Sequence, residues 1–305
     1  MITMELRQLR YFVKVAETLN FSDASKQLFI TQSTLSQQIS NMEKELGQQL
    51  FMRNSHEVLL TEAGQTLLPH ARETLNKASN CINSLQELKG MMTGELNIGV
   101  TFSFCAIVRE ALISFLKKYP RVKMNVVYSP MNELLQSMLR HELDLVLAFR
   151  PTQRDSRIES HVLFNNRLAA VVRQGHTLAR QSSVTLEQLK RYDLVLPAIG
   201  LQARNAFERI LEGTGIHFEA KAEMNNVDML FKVIRESNYV TILSESTAID
   251  EPDLKAVILD APANDMEGCI HLLRNAYVKT SAKEFIHQLV QSTAVYKNTF
   301  FSDFG

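Results

Sequence analysis

The sequence is poor in cysteine and contains no long apolar segment. Cys81, Cys105 and Cys269 are odd in number, far apart and in no C-x-x-C pattern. They therefore predict packing residues in a reducing compartment rather than a disulfide framework or a zinc site. No run of 18 apolar residues occurs, and the start of the chain carries charges where a signal peptide needs an apolar stretch. We expect a soluble, cytoplasmic protein with no membrane partner.

The residue patterns that carry catalysis are also missing. The eight histidines form no H-x-x-x-H motif, no G-x-S-x-G occurs, and with 11 glycines the chain has no glycine-rich phosphate loop after a strand. The net charge is zero, from 33 basic and 33 acidic residues, so composition does not indicate a nucleic-acid partner. We expect no enzyme activity, no metal and no cofactor. A DNA-binding function must rest on where particular residues lie.

The length of 305 residues, of which 45% are hydrophobic, is enough for two or more domains. At the start, apolar residues recur at steps of three and four, the spacing of one buried helix face, at Leu6, Leu9, Phe12, Val13, Ala16 and Leu19. A second helix is predicted from Asp23 to Leu28, with Ser22 as its N-cap. The residues of this segment expected in the same core are Ala24, Leu28 and Phe29.

A third helix is predicted from Gln32 to about Leu46, with Thr31 as its N-cap and Gly47 at its end. Its inward stripe is Leu35, Ile39, Met42 and Leu46. The outward residues of its first two turns are uncharged amides and hydroxyls, namely Gln32, Ser33, Ser36 and Gln37. Glutamine pairs bidentately with adenine, and serine serves several bases. This arrangement is typical of a helix-turn-helix whose third helix enters the major groove, and the alternative is a solvated polar face.

The segment after this helix indicates a small β-hairpin wing. Leu50, Phe51, Val58 and Leu60 are apolar around a polar tip at residues 53–56. Arg53, at the base of the wing, can reach a phosphate or the minor groove, although an ordinary surface arginine would look the same. The candidate DNA-binding residues are therefore Thr31, Gln32, Ser33, Ser36, Gln37 and Arg53.

A long helix is expected from Glu62 to about Lys89, with Thr61 as its cap. Pro69 lies early enough to bend this helix without ending it. Its apolar residues are spaced 3, 4, 3, 4 and 3, the seam of a two-stranded coiled coil, at Leu68, Ala71, Leu75, Ala78, Ile82 and Leu85. We prefer dimerisation to a helix folded back on its own domain, because a dimer presents two recognition helices to two half-sites.

After residue 93, strand and helix patterns alternate, which is typical of a mostly parallel sheet covered by helices. The strand at Glu95–Val100 opens a first series, and the strand at Leu168–Gln174 opens a second. A last strand from Cys269 to Asn275 and a last helix from Ala282 to Val295 are expected to return to the first lobe. The pattern therefore predicts two α/β lobes with crossing strands.

Two such lobes leave a cleft beyond the carboxyl ends of their strands, where open α/β sheets bind ligands. The residues that follow the predicted strands are Thr101, Phe102, Ser103, Ser129, Phe149 and Arg150 in the first lobe and Gln202, Arg204, Asn225 and Asn226 in the second. Hydroxyls, amides and guanidiniums at helix starts suit a small carboxylate or similar anion. The alternative for each is a helix cap or a surface group, and both arginines can equally pair with nearby acids.

Several motifs follow one another at fixed spacing in the first sixty or so residues: Leu-x-x-Phe, Ala-Ser near position 24, T-Q-S-x-L-S, E-x-x-L-G, L-F-x-R and L-T-x-A-G. This stretch resembles the DNA-binding domain of LysR-type transcriptional regulators. Residues 94–305 resemble the periplasmic-binding-protein-like effector domain of the same family, through G-E-L-x-I-G and the order of elements. Two departures are Gln37, where many members carry arginine, and residues 237–244, where members often have Gly-x-Gly followed by Leu-Pro.

The resemblance implies an α plus α/β protein in three parts. The expected parts are a winged helix-turn-helix at 1–61, a linker and dimerisation helix at 62–93, and an effector-binding domain at 94–305 with lobe I at 94–163 and 268–305 and lobe II at 164–267. It implies a sequence-specific regulator that binds operator DNA, a small effector, further copies of itself as a homodimer and homotetramer, and RNA polymerase. The alternative is a solute-binding or interaction protein that uses its helical head only for dimerisation.

Overall fold

The structure is a computed structural model that describes residues 4–53, 57–87 and 92–292. The chain divides into two compact units, Met1–Met91 with Arg140–Glu142, and Met92–Leu139 with Leu143–Gly305. In the described parts of the chain, no helix is long and apolar enough to cross a membrane.

The first unit is a helical domain with a hairpin. Its elements are α1 (Leu6–Thr18), α2 (Phe21–Gln27), α3 (Gln32–Leu46), β1 (Phe51–Arg53), β2 (Val58–Leu60) and α4 (Glu62–Glu87). Strands β1 and β2 pair antiparallel, with Arg53 opposite Val58. The predicted wing is therefore confirmed as a hairpin, while its tip, residues 54–56, lies outside the described residues.

The predicted ends of α3 are confirmed. Thr31 Oγ1 accepts a hydrogen bond from the backbone N–H of Thr34 at 3.2 Å. Gly47 ends the helix at a φ of 65°, in the left-handed region that glycine adopts without steric cost. The inward stripe is also the predicted one, buried at Leu35, Ile39 and Met42 and half-buried at Leu46.

The predicted cap of α2 is wrong. The helix begins at Phe21, and Asn20 caps it, because Asn20 Oδ1 accepts from the N–H groups of Ser22 at 2.8 Å and Asp23 at 3.1 Å. Ser22 therefore lies in the first turn. An asparagine and a serine are comparable caps, and the sequence pattern alone did not separate two candidates so close together.

Three apolar residues predicted to face the helical core are instead exposed. Leu6 is the first residue of α1 and Leu19 caps its C-terminus, so both lie at the ends of the helix, beyond the part that packs against the core. Phe29 follows α2 at a φ of 55° and is 94% exposed. Its neighbours Leu28 and Ile30 pack against the core, so the turn directs the Phe29 side chain outward.

Helix α4 begins as predicted. Thr61 Oγ1 accepts from the backbone N–H of Gly64 at 3.1 Å. Pro69 lies inside the helix without ending it. The described helix ends at Glu87, and residues 88 and 89, to which the predicted helix extended, lie outside the described residues.

The predicted coiled-coil seam of α4 divides into two halves. Ala71 is buried in the core of the first unit, and Leu68 and Leu75 pack against the same core. Ile82 and Leu85 are 60% and 65% exposed. The first half of the helix is therefore folded back on its own domain, which was the alternative interpretation, and only the second half leaves apolar side chains for a partner.

The second unit alternates strands and helices, as predicted. Its elements are β3 (Gly94–Val100), α5 (Cys105–Lys118), β4 (Val122–Tyr128), α6 (Met131–Leu139), β5 (Leu145–Phe149), β6 (Ile158–Asn166), β7 (Leu168–Arg173), β8 (Ser183–Thr185), α7 (Leu186–Leu189), β9 (Leu194–Pro197), α8 (Gln202–Leu211), β10 (Ala220–Met224), α9 (Val227–Arg235), β11 (Thr241–Ser244), β12 (Leu254–Asp260), β13 (Met266–Leu273) and α10 (Thr280–Val290). Residues 293–295, included in the predicted last helix, lie outside the described residues.

A five-stranded sheet forms what we call lobe I, in the order β4-β3-β5-β13-β6. β3 runs parallel to β4 and β5, whereas β13 runs antiparallel to β5 and β6. The predicted return of the last strand to the first lobe is thus confirmed. Because β6 is antiparallel to β13, it runs in the same direction as β3, β4 and β5. The predicted mostly parallel sheet therefore holds for four of the five strands, and only β13, which returns from the second lobe, is reversed.

The remaining strands form what we call lobe II. One sheet has the order β11-β7-β12-β8, with β7 antiparallel to both β11 and β12. β9 and β10 form a parallel pair, which an isolated bridge joins to the start of β11. β12 is parallel to β8, so β8, β11 and β12 share one direction and β7 runs against them. The predicted mostly parallel sheet therefore misses one strand here, β7, by which the chain enters lobe II from β6.

Strand β13 buries a histidine at the centre of lobe I. His271 Nε2 lies 3.2 Å from the carbonyl oxygen of Ala148, and Nδ1 lies 2.8 Å from Ser160 Oγ. Because a carbonyl only accepts, Nε2 is the donor, and the neutral ring then accepts from the Ser160 hydroxyl at Nδ1. Burial lowers the pKa of His271 from 6.5 to about 4, so the ring is neutral at pH 7.

The first testable prediction concerns Gly64, in the first turn of α4. A β-carbon there would collide with the backbone carbonyl oxygen of Leu50 and lie 2.8 Å from Leu60 Cδ2. Although alanine favours helices more than glycine, Gly64→Ala should destabilise the first unit by about 1–3 kcal/mol. Calorimetry should show a lower unfolding temperature, while Gln65→Ala, on the exposed neighbour, leaves it unchanged or higher. An unchanged temperature for Gly64→Ala would contradict this close approach.

The second prediction concerns pH. The lowered pKa of His271 means that the unfolded chain takes up a proton near pH 6.5 and the folded chain only near pH 4. Stability should therefore fall as the pH falls from about 6.5 to about 4, by roughly 3 kcal/mol at most from this group. Urea unfolding midpoints should show a shallower acid slope in His271→Gln. His217→Gln, at an exposed histidine, should keep the full slope, and equal slopes in both variants would refute this assignment.

Candidate DNA-reading face and effector cleft

The start of α3 presents the uncharged residues that were predicted to read DNA. Gln32, Ser33 and Gln37 are exposed, and Ser36 is partly exposed. Gln37 Nε2 donates to Asn41 Oδ1 at 2.9 Å, which holds the amide along the helix surface. Four of the predicted DNA-binding side chains therefore lie on the first two turns of one helix.

The cap of α3 adds a fifth. Thr31 is exposed, and its Oγ1 lies 2.9 Å from Ser33 Oγ and 2.8 Å from Thr34 Oγ1. The first turn of α3 contains no acidic residue, so the positive end of the helix dipole stays available to a phosphate. Arg53, the sixth predicted residue, is the last residue of β1, and its side chain lies outside the described part of the structure.

A cavity of about 660 Å³ lies in the second unit, with walls from both lobes. Seven of the ten predicted effector residues line it, namely Thr101, Phe102, Ser103, Ser129, Gln202, Asn225 and Asn226. Asn226 also caps α9, accepting from the N–H of Met229 at 2.9 Å. A volume of this size suits a small molecule. No group of three or more metal-ligating side chains occurs within the described ranges.

Four helices begin at this cavity. The first residues of α5, α6, α8 and α9 all line it, namely Cys105, Met131, Gln202 and Val227. The first N–H groups of a helix have no acceptor within the helix and carry the positive end of its dipole. The backbone therefore contributes positive potential to the cavity from the starts of four helices.

The charged side chains of the lining have the opposite sign. Asp228 and Glu251 line the cavity, whereas none of the described lining residues is a lysine or an arginine. Glu251 is paired with Arg235, which lies outside the lining. Asp228 is exposed on the first turn of α9. A bound anion would therefore meet backbone N–H groups rather than guanidiniums.

Both arginines that were predicted to meet an anion are held by acidic side chains. Arg150 forms an ion pair with Glu267. Arg204 is buried, and its Nη1 donates to Glu223 Oε1 at 2.8 Å while its Nε binds Glu208. Neither arginine lines the cavity. Pairing with nearby acids was the alternative for these residues, and the partners Glu223 and Glu267 are too distant in sequence for a local pattern to reveal them.

Gln202 bridges the two lobes at the edge of the cavity. Its Nε2 donates to the carbonyl oxygen of Phe149 at 3.0 Å, and its Oε1 accepts from the N–H of the same residue at 3.2 Å. The ring of Phe149 is buried against Phe104 and Phe164 and does not line the cavity. Phe149 therefore contributes its backbone to this bridge rather than its side chain to a ligand.

Sequence reasoning missed two neighbouring groups of the cavity wall. Cys105 and Tyr128 both line it, and each lies close enough to affect the pKa of the other. Burial, above all, raises the pKa of the Cys105 thiol and the pKa of the Tyr128 phenol, so both keep their protons at neutral pH. Tyr128 immediately precedes Ser129 at the end of β4, so the rule that ligands bind beyond strand ends could have predicted it. No motif or spacing in the sequence indicated Cys105 as a cavity residue.

Known proteins resemble this chain over both units. Residues 6–65 match the bacterial regulatory helix-turn-helix proteins of the lysR family, and residues 89–294 match the LysR substrate binding domain. The HTH-type transcriptional regulator YnfL of Escherichia coli (strain K12) is 34% identical over 203 residues, 65% of this chain and 68% of YnfL. The transcriptional dual regulator GltC of Bacillus subtilis (strain 168) is 27% identical over 291 residues, 94% of this chain and 97% of GltC.

Solved structures resemble the whole fold. A full-length OxyR from Pseudomonas aeruginosa has a TM-score of 0.77 at 18% identity, covering 99% of each chain. Full-length CbnR, solved in complex with its target DNA, has a TM-score of 0.65 at 22% identity, covering 94% of this chain and 99% of CbnR. At these identities the likeness concerns the fold. It confirms the predicted order of a helix-turn-helix domain followed by a two-lobed domain.

The two family matches fall on the two units that the structure separates, and together they span most of the chain. A solute-binding protein with a head used only for dimerisation is not favoured, because the relatives are transcriptional regulators. The chain belongs to the LysR family of DNA-binding transcriptional regulators, with an N-terminal helix-turn-helix domain and a C-terminal effector-binding domain.

Proposed function

We propose that this regulator reads operator DNA with the first turns of α3 and with the wing. The observation that supports this proposal is that the side chains at the start of α3 are exposed and uncharged, and that no acidic residue in the first turn offsets the positive end of the helix dipole. We assign base contacts to Gln32, Ser33 and Ser36, and phosphate contacts to the helix end at Thr31, to Gln37 and to Arg53. A chain without net positive charge then gains its affinity for DNA from these individual base and phosphate contacts rather than from a basic surface.

We propose further that a small carboxylate binds in the cavity between the lobes and controls the regulator. The four helix N-termini support this choice, because they favour one negative charge at the centre of the site. A second negative charge would approach Asp228 and Glu251 without a guanidinium to neutralise it. We therefore expect monocarboxylates to bind more tightly than dicarboxylates of similar length.

The assembly that we propose is a homodimer, and further a homotetramer, which places two α3 helices on two half-sites and contacts RNA polymerase. The exposed Ile82 and Leu85 of α4 support a contact between copies. The proposed domain division is 1–61, 62–93 and 94–305. A bacterial regulator of this type works where its DNA lies, in the cytoplasm, and we assign it no enzyme activity.

The third prediction tests base reading by Gln32. Gln32→Ala should weaken operator binding about tenfold, since a bidentate contact contributes about 1–3 kcal/mol. Gln48→Ala is the matched control, because Gln48 is an exposed glutamine beyond the other end of α3. The measurement is fluorescence anisotropy with the upstream DNA of its own gene, or a duplex selected from a random pool, against a scrambled duplex. Equal losses in both variants, or no preference in the wild type, would contradict the assignment.

The fourth prediction tests the cavity. A bound monocarboxylate should raise the unfolding temperature, with about 2.7 kcal/mol of stabilisation at a hundred times its Kd. In a Cys81→Ser background it should also slow alkylation of Cys105 by iodoacetamide, because Cys105 lines the cavity. Asn225→Ala should reduce both effects, whereas Asn165→Ala, on the exposed edge of β6, should not.

The cavity assignment fails if no member of a library of small carboxylates stabilises the protein or protects Cys105. It also fails if a carboxylate stabilises the Cys81→Ser protein while Cys105 is alkylated at an unchanged rate, since binding then occurs elsewhere. Tighter binding of dicarboxylates than of monocarboxylates would refute the charge argument alone and leave the location of the site intact.

A further inference from the structure

The turn between α2 and α3 exposes a phenylalanine in a conformation that bulky side chains disfavour. Phe29 is 94% exposed at a φ of 55°. The N–H groups of Phe29 and Ile30 donate to the carbonyls of Lys26 at 3.2 Å and Ser25 at 3.1 Å, so the backbone of this turn is held in place. Asparagine or glycine adopts this conformation at lower cost and leaves no apolar ring in water. Folding therefore gives no reason for phenylalanine at this position.

The position of Phe29 indicates what its ring meets. Leu28 and Ile30 pack against the core on either side, so the ring points away from it. Phe29 precedes Thr31, the N-cap of α3, by two residues and precedes Gln32 by three. The Cα atoms of Phe29 and Gln32 are thus at most about 11 Å apart. An exposed ring at that distance from Gln32 lies within reach of DNA that contacts the start of α3.

We infer that Phe29 is a specificity residue that packs against the C5-methyl group of a thymine at the edge of the major groove, beside the bases met by Gln32. The thymine methyl is the apolar group that the major groove displays, and phenylalanine is among the side chains that contact it. This inference rests on the proposed entry of α3 into the major groove. It names a DNA contact outside the recognition helix.

The test removes that methyl group and nothing else. In an operator selected with the wild-type protein, each thymine is replaced in turn by uracil, and affinity is measured by fluorescence anisotropy. The wild type should lose about fourfold at one thymine of each half-site, the effect of burying one methyl group. Phe29→Asn should bind the thymine and uracil operators equally. Asparagine suits the left-handed conformation, so this variant should unfold at or above the wild-type temperature.

A matched control separates DNA contact from relief of backbone strain. Leu19 is another exposed apolar residue at positive φ, at the end of α1. Leu19→Asn should keep the thymine dependence of the wild type. Loss of the dependence in both variants would overturn the inference, since it would trace the effect to the backbone or to general hydrophobicity.

Two further outcomes also overturn the inference. If uracil substitution weakens the operator affinity of the wild type and of Phe29→Asn equally at every thymine, Phe29 makes no contact with a thymine methyl group. A lower operator affinity of Gln32→Ala would still support base reading by α3. Wild-type DNA binding by Phe29→Asn combined with lost transcription activation in vitro would assign the ring to a protein partner. A wild type that prefers no duplex would refute the proposed DNA reading by α3, and this inference with it.

Discussion

The first backbone N–H groups of an α-helix find no acceptor inside the helix, and both of the regions to which we assign a function are built around such ends. At α3 the end is capped by Thr31 and carries no acidic residue. At the cavity, four helices begin together. A chain with 33 basic and 33 acidic residues can therefore meet anions at two places through its backbone. Arginines are then not needed to bind the anion and can form ion pairs within the fold, as Arg204 does with Glu208 and Glu223.

The convergence of helix starts follows from the sheet of lobe I. Because β3 runs parallel to both β4 and β5, their carboxyl ends lie at one edge, and α5 and α6 begin there. Lobe II brings α8 and α9 to the same cavity, and Gln202 joins its own lobe to the backbone of Phe149 in lobe I. A ligand that competes for this bridge, or that strengthens it, changes the relation between the lobes. That gives the effector domain a physical means of response.

Local patterns in the sequence predicted the helices and the wing, because periodicity and caps act over a few residues. The return of β13 to lobe I followed from the order of elements in the two-lobed arrangement that the sequence resembles. The cleft residues followed from the rule that ligands bind beyond strand ends. The reversed direction of β7, and the pairing of Arg150 with Glu267 and of Arg204 with Glu223, depend on residues distant in sequence, so no local pattern contained them. Phe29 was misplaced for a different reason, since hydrophobicity alone predicts burial and a positive φ reverses the direction of the side chain.

The heptad pattern of helix α4 has two different roles along the helix: its first half packs in the core of the first unit, and its second half is exposed. Ala71, with its neighbours in the seam, closes the core of the first unit, while Ile82 and Leu85 remain exposed. Two apolar side chains per copy cover much less than the roughly 1,200–2,000 Å² of a stable interface, so the described part of this helix would supply only a fraction of the contact in the proposed dimer. An operator with two half-sites holds two copies together and thereby adds to that contact. In the proposed dimer, DNA binding and dimerisation strengthen each other, and an effector that favours one geometry of the dimer changes its affinity for DNA by the same coupling.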